Sequence, residues 1–236
     1  LETPPANDLP LFIPQDLLVT MRPHALRRFT GIPDSATLSD ARACVRDGGT
    51  LIFPTDTVYG IGCDPSDAVA VAAVYAAKRR PPDKPLSLHV AKSVDALPYV
   101  TQLTPAALII MEKLMPGPIA IVVARNPARA AAAVAGAATI SIRCPADDAC
   151  CAILTATGPL AATSANISGM TPYDGMSDEY DLLPDATLAL VKGPTRWRRE
   201  STVLDCTAAT AKILRCGALP ADSIRSALAG IAELES

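Results

Sequence analysis

GTLIFPTDTVYGIGCDP (49–65), followed by an Ala- and Val-rich run and then by KRRPPDKPLSLHV (78–90), is the most informative stretch of the chain. A short apolar run bounded by Gly and Pro predicts a buried strand at 50–53. The loop after it offers hydroxyls at Thr55 and Thr57, a turn carboxylate at Asp56 and a ring at Tyr59. A helix is predicted over 67–78 and a second strand over 86–90. Between them lies a cationic turn, Lys78, Arg79, Arg80 and Lys84, interrupted by three prolines. Proline fixes the backbone, so the cations are held in place as an anion site requires. The bland alternative is a helix end whose positive charges answer the dipole.

Outward from this stretch the pattern stays regular. Ser39 or Asp40 can cap a helix through Arg46 that Gly48 and Gly49 end. Helices are predicted at 104–115, stopped by PGP (116–118), and at 147–156, with a last one from Ala221 just after Pro220. Strands are predicted at 119–124, 139–143, 160–163, 187–191, 201–206 and 212–216. Strands and helices mix without strict βαβ alternation. The expected fold is therefore α/β, a mixed, twisted open sheet flanked by helices. One domain is expected over 39–236. Residues 1–38 hold six prolines and no sustained period, and read as an extension draped on the domain or loose. Its MRPHALRRF segment (21–29) has the charge of an organelle presequence without an apolar region or a cleavage signal.

The chain has 236 residues, enough for a core without staples. With three Phe, five Tyr and one Trp, that core is expected to use small side chains. No apolar run approaches the roughly 20 residues that span a bilayer, so a cytoplasmic protein without a membrane partner is expected. A net charge of −3 argues against a protein whose main task is coating nucleic acid. Seven Cys at irregular spacing, without a C-x-x-C pair, read as reduced thiols.

A third constellation is TSANISG (163–169), where Ser164 and Asn166 follow a predicted strand in a loop rich in donors. The competing reading is a turn held by its own side chains. Only His24 and His89 exist, so a Ser nucleophile with a His base is disfavoured. His89, just after the cationic turn, is a candidate substrate contact. There is no Walker A or G-x-G-x-x-G motif, and no metal-ligand spacing.

These motifs stand in one order: PTDTVYG (54–60), Lys78-x-Arg80 with KPL, PGP, SIRCP (141–145), Ser164-x-Asn166, the Ser201–Thr202 pair and LRCG (214–217). In that order the chain resembles the threonylcarbamoyl-adenylate synthases, the YrdC-like family, in its short single-domain form. The resemblance runs from about residue 39 to the end. It implies an enzyme, a nucleotidyltransferase, that joins L-threonine, bicarbonate and ATP into threonylcarbamoyl-AMP and pyrophosphate for modification of tRNA adenosine 37. Mg²⁺ would arrive with ATP, and the product would pass to a separate tRNA threonylcarbamoyl transferase complex.

Carried over residue by residue, Thr55 and His89 would contact threonine, and Lys78 and Arg80 would be catalytic. Lys78, Arg80, Arg143, Ser164, Asn166, Ser201 and Arg215 would serve the nucleotide, with Arg143 bracing the pocket. Two departures stand out. Ala120 replaces a hydroxyl after PGP, and GPTRWRREST (193–202) replaces a glycine-rich approach to the Ser-Thr pair. That loop, with Arg196, Arg198 and Arg199 beside Trp197, would cover phosphates, touch tRNA weakly, or be solvated surface around one buried Trp. Two further readings are a non-catalytic RNA-binding YrdC-like module and a relative that transfers a carbamoyl group elsewhere.

Overall fold

The computed structural model describes residues 25–177 and 183–235. In chain order its elements are β1 (Ala25–Arg28), α1 (Ser35–Arg46), β2 (Leu51–Phe53), β3 (Gly60–Cys63), α2 (Ala68–Lys78) and β4 (Ser87–His89). A 3-10 helix (Ser93–Tyr99) leads to β5 (Val100–Gln102), α3 (Pro105–Lys113), β6 (Ile119–Arg125), β7 (Thr139–Arg143) and α4 (Asp148–Thr157). β8 (Leu160–Ser164), β9 (Leu188–Val191), β10 (Thr202–Asp205), β11 (Ala211–Arg215), α5 (Ala221–Leu228) and β12 (Leu234–Glu235) complete it.

The strands form one mixed sheet in the order β1-β9-β2-β3-β8-β4-β7-β6-β10-β11-β12, with β5 on the side of β6. β4 and β7 run parallel, as do β6 and β10, while β3, β8 and β4 alternate in direction. Side chains alternate across the pleat. Ile52, Leu88, Ile121, Ile142 and Ala161 join the larger apolar cluster with α2, α3 and α5. Leu51, Phe53, Leu160 and Ala162 join the smaller one with α1 and α4.

Helix starts follow capping chemistry. Asp67 accepts from Val69 N and Ala70 N, Thr104 from Ala107 N ahead of Pro105, and Asp147 from Cys150 N. α1 corrects the expected start at Ser39: Asp34 is the cap and accepts from Thr37 N, while Asp40 lies inside the helix and pairs with Arg27. Residues from Ala25 onward belong to the sheet, because β1 pairs in parallel with β9. Residues 1–24 of the expected extension lie outside the described residues. Four strands, β1, β3, β5 and β12, and the 3-10 helix escaped the sequence pattern. β1 is largely exposed and carries no apolar alternation. β3 is Gly-rich because a Cβ on Gly62 would sit 2.8 Å from the Ala162 Cβ of the neighbouring strand.

Candidate functional site

On the sheet face opposite the larger cluster, and away from α1 and α4, alternate residues of β4, β7 and β8 line a cavity of about 280 Å³. Ser87 and His89, Ser141 and Arg143, and Ala162 and Ser164 point into it from adjacent strands. The loop at Thr57–Tyr59 closes one side, and Arg80, Glu200, Ser201 and Arg215 close another. Its volume is near the lower end of the roughly 300–1,000 Å³ of small-molecule sites.

Arg143 is the buried centre of one end. Its Nη2 donates to Asp56 Oδ1 and to Thr57 Oγ1, both at 2.5 Å. Nη1 makes only two long contacts, 3.4 Å each, to Thr55 Oγ1 and to His89 Nε2. Desolvation weighs against the guanidinium charge, and the Asp56 carboxylate opposes it. The partners assign the histidine tautomer: Nδ1 donates to Ser87 O at 3.3 Å, leaving Nε2 as the acceptor facing Arg143. Burial, with Arg143 beside it, pushes the His89 pKa down to about 3, so the ring is neutral near pH 7. Thr55 is fully buried, its hydroxyl donating to Val58 O at 2.6 Å and accepting from Thr57 N, which makes it the knot of the loop.

Lys78 is almost fully buried at the end of α2. Its Nζ donates to Ser164 O, to Asn166 O at 2.7 Å and to Asn166 Oδ1 at 2.9 Å. An ammonium has three donors, and all three are used on one loop. Asn166 is used as fully: Oδ1 also accepts from Ser164 Oγ, and Nδ2 donates to Ile167 O and Met170 O. The S-x-N turn is thus held by its own side chains and by Lys78, with Ser164 on the cavity wall. Burial, then the nearby Arg80 charge, lowers the Lys78 pKa to about 8.

The other end is cationic. Arg80 is aimed by the proline turn: Nε donates to Lys84 O and Nη2 to Pro85 O, both at 3.0 Å. Arg215 on β11 clasps the start of β10, with Nε and Nη2 on Ser201 O and Nη1 on Glu200 Oε1 at 2.7 Å. Gly217 makes the clasp possible, since a Cβ there would lie 2.3 Å from backbone atoms of Ser201 and Thr202.

Of the residues predicted for the site, His89, Arg80, Arg143, Ser164, Ser201 and Arg215 stand on the cavity wall, while Thr55, Lys78 and Asn166 stand behind it as supports. Arg143, expected with the nucleotide set, bonds to the threonine pair Thr55 and His89. Sequence reading missed Ser87 and Ser141, which only alternation on the paired strands reveals, as well as Thr163 between two cavity residues of β8, and it read Asp56 as a turn residue. Ala120 is buried beside Arg143 on β6, and Val122 lines the cavity instead. Trp197, expected buried in one reading, is 41% exposed under the Arg196 guanidinium, and Arg198 pairs with Asp174. Its backbone N–H is bonded to Asp56 O at 2.9 Å, so the basic loop braces the site loop from outside. Among the described residues no group of His, Cys, Asp and Glu is arranged to hold a metal, and no helix is long and apolar enough to cross a membrane. All seven Cys are free, four of them buried.

Comparison with known proteins agrees with the fold. Threonylcarbamoyl-AMP synthase of Pyrococcus abyssi is 31% identical over 193 residues, covering 81% of this chain and 57% of that protein. The Bacillus subtilis protein of the same name is 33% identical over 216 residues, covering 87% of this chain and 62% of its own length. The chain thus spans about three-fifths of these relatives. The crystal structure of P. abyssi Sua5 complexed with L-threonine superposes with a TM-score of 0.82 at 27% identity, covering 89% of this chain and 62% of that one. The profile of the Sua5_yciO_yrdC family, described as Telomere recombination, matches residues 43–217, and the chain belongs to that family.

Proposed function

We propose that this domain binds L-threonine and ATP in the cavity and forms threonylcarbamoyl-AMP from threonine, bicarbonate and ATP, as a nucleotidyltransferase. The observation that carries the reading is the division of the cavity. At one end a buried guanidinium stands beside a neutral imidazole, and at the other Arg80 and Arg215 stand beside Ser201. The likeness to a protein crystallised with L-threonine supports the amino-acid end.

In this reading the weakly bonded Nη1 of Arg143 takes the threonine carboxylate. The threonine amine adds to the bicarbonate carbon and water leaves, giving a carbamate. A carbamate oxygen then attacks the α-phosphate, the bond to the β-phosphate breaks, and pyrophosphate departs. Arg80 and Arg215 offset the charge that gathers on the phosphates, and Ser201 supplies a neutral donor, the Ser164 hydroxyl proton being spent on Asn166 Oδ1. No protein nucleophile is needed, so catalysis comes from positioning three anions. Magnesium belongs to the substrate, as MgATP, since Glu200 is the lone carboxylate on the wall and is engaged by Arg215. Delivery of the adenylate to a separate tRNA-modifying complex and a cytoplasmic setting are part of the same proposal.

The test is pyrophosphate release from MgATP. Release should require both threonine and bicarbonate. Equal turnover without threonine would overturn the assignment, and salt-sensitive tRNA binding with no release would put the non-catalytic RNA-binding reading in its place.

A further inference from the structure

Asp56 is the only buried carboxylate among the described residues. Oδ1 accepts from Arg143 Nη2, while Oδ2 and Arg143 Nε are both buried without a partner. A buried ion pair with two unmatched polar atoms is a poor way to stabilise a fold, because desolvation of the two charges cancels much of their attraction. What the pair does provide is a guanidinium that cannot turn. Three successive residues grip it, Thr55, Asp56 and Thr57. They are fixed in turn from outside, where Thr195 Oγ1 donates to Thr57 O and Trp197 N donates to Asp56 O.

We propose that Asp56 is the positioning residue of the amino-acid end, acting through Arg143 to aim its Nη1 edge at the threonine carboxylate. This rests on the functional reading above. It also makes a prediction with a sign. Removing Asp56 makes the pocket more positive, so electrostatics alone would tighten the binding of a carboxylate. Positioning predicts the reverse, weaker binding, because a misaimed fork loses its directed bonds.

Threonine affinity of the full chain, measured by calorimetry without ATP, separates the two. Asp56→Ala should weaken threonine binding on the order of 10- to 100-fold, the range known for groups that orient metal ligands. Asp56→Asn, which keeps an acceptor for Nη2 and drops the charge, should recover part of the loss. KM for ATP should stay near the wild-type value in both. Unchanged or tighter threonine binding in Asp56→Ala overturns the proposal, and so does an equal loss of affinity for both substrates. If Asp56→Ala does not fold, Arg143→Gln is compared with Arg143→Gln/Asp56→Asn. Equal threonine affinity supports action through Arg143, and further weakening in the double variant overturns it, since Asp56 would then touch the ligand. Wild-type protein that binds no threonine removes the functional reading itself, whereas wild-type binding with indifferent variants removes this inference alone.

Discussion

At the residue scale the two cations of the K-x-R turn have separate roles, which their spacing could not reveal. Arg80 reaches the cavity wall, so Arg80→Ala should lower kcat/KM for ATP by roughly a hundredfold with the fold intact, because one preorganised donor is worth about 3 kcal/mol in the transition state. Steady-state kinetics beside a circular dichroism spectrum check this. Lys78 is spent on the 164–166 loop, so Lys78→Met should destabilise the fold as well as slow the proposed pyrophosphate release, by leaving buried carbonyl oxygens unpaired. Its pKa of about 8 adds a pH signature. Near pH 8 the free protein holds this site partly deprotonated, and a bound triphosphate favours the ammonium, so ATP binding should take up a fraction of a proton. Calorimetry in two buffers of different ionisation enthalpy reads that uptake, and no uptake at pH 8–8.5 would rule it out. The sequence named the right residue types here and left their roles open. Whether a cation faces a ligand or a loop depends on contacts between residues 86 to 88 positions apart.

The element scale was the most legible. Helices with a capping side chain and an apolar face stood out, as did strands with continuous apolar runs, since both signals are local. β1 and β3 did not, because an exposed edge strand and a glycine strand take their conformation from a neighbour. The LRCG glycine is an element-scale feature with a direct test. Gly217→Ala should push β11 away from Ser201 and Thr202, lowering the thermal midpoint and raising KM for ATP together. An unchanged midpoint would mean that the backbone yields freely there. The basic loop behaves differently. Arg198 is held by Asp174 and Arg196 by the Trp197 ring, both exposed, and none of the three arginines lines the cavity. Replacing Arg196, Arg198 and Arg199 with Ala should therefore change ATP kinetics by less than about a factor of three, as exposed pairs contribute ~0–1 kcal/mol each. A larger rise in KM for ATP would place the loop over the phosphates.

At the scale of the whole molecule, the sheet separates two tasks by its faces. Leu88, Ile121 and Ile142 look toward α2, α3 and α5, while Ser87, His89, Val122, Ser141 and Arg143 on the same strands face the cavity. This division was readable as fold class but not as a site, since His89 and Arg143 meet only because β4 and β7 run in register. It has a consequence for stability. His89 is buried and neutral, with a pKa of about 3 in the folded protein against 6.5 for an ordinary histidine. Between those values the unfolded chain binds a proton that the native state does not, so stability falls as the pH falls from 6.5 toward 3 and is unaffected by this group above 6.5. The slope is at most about 1.4 kcal/mol per pH unit. His89→Gln keeps polar atoms for Arg143 without a titrating ring. Its stability relative to wild type, from urea unfolding at pH 7, 5.5 and 4.5, should improve steadily toward acid even if it starts lower. A difference that stays constant across the three pH values would show that the imidazole reaches solvent protons in the folded state, and would remove the neutral acceptor from the amino-acid end of the site.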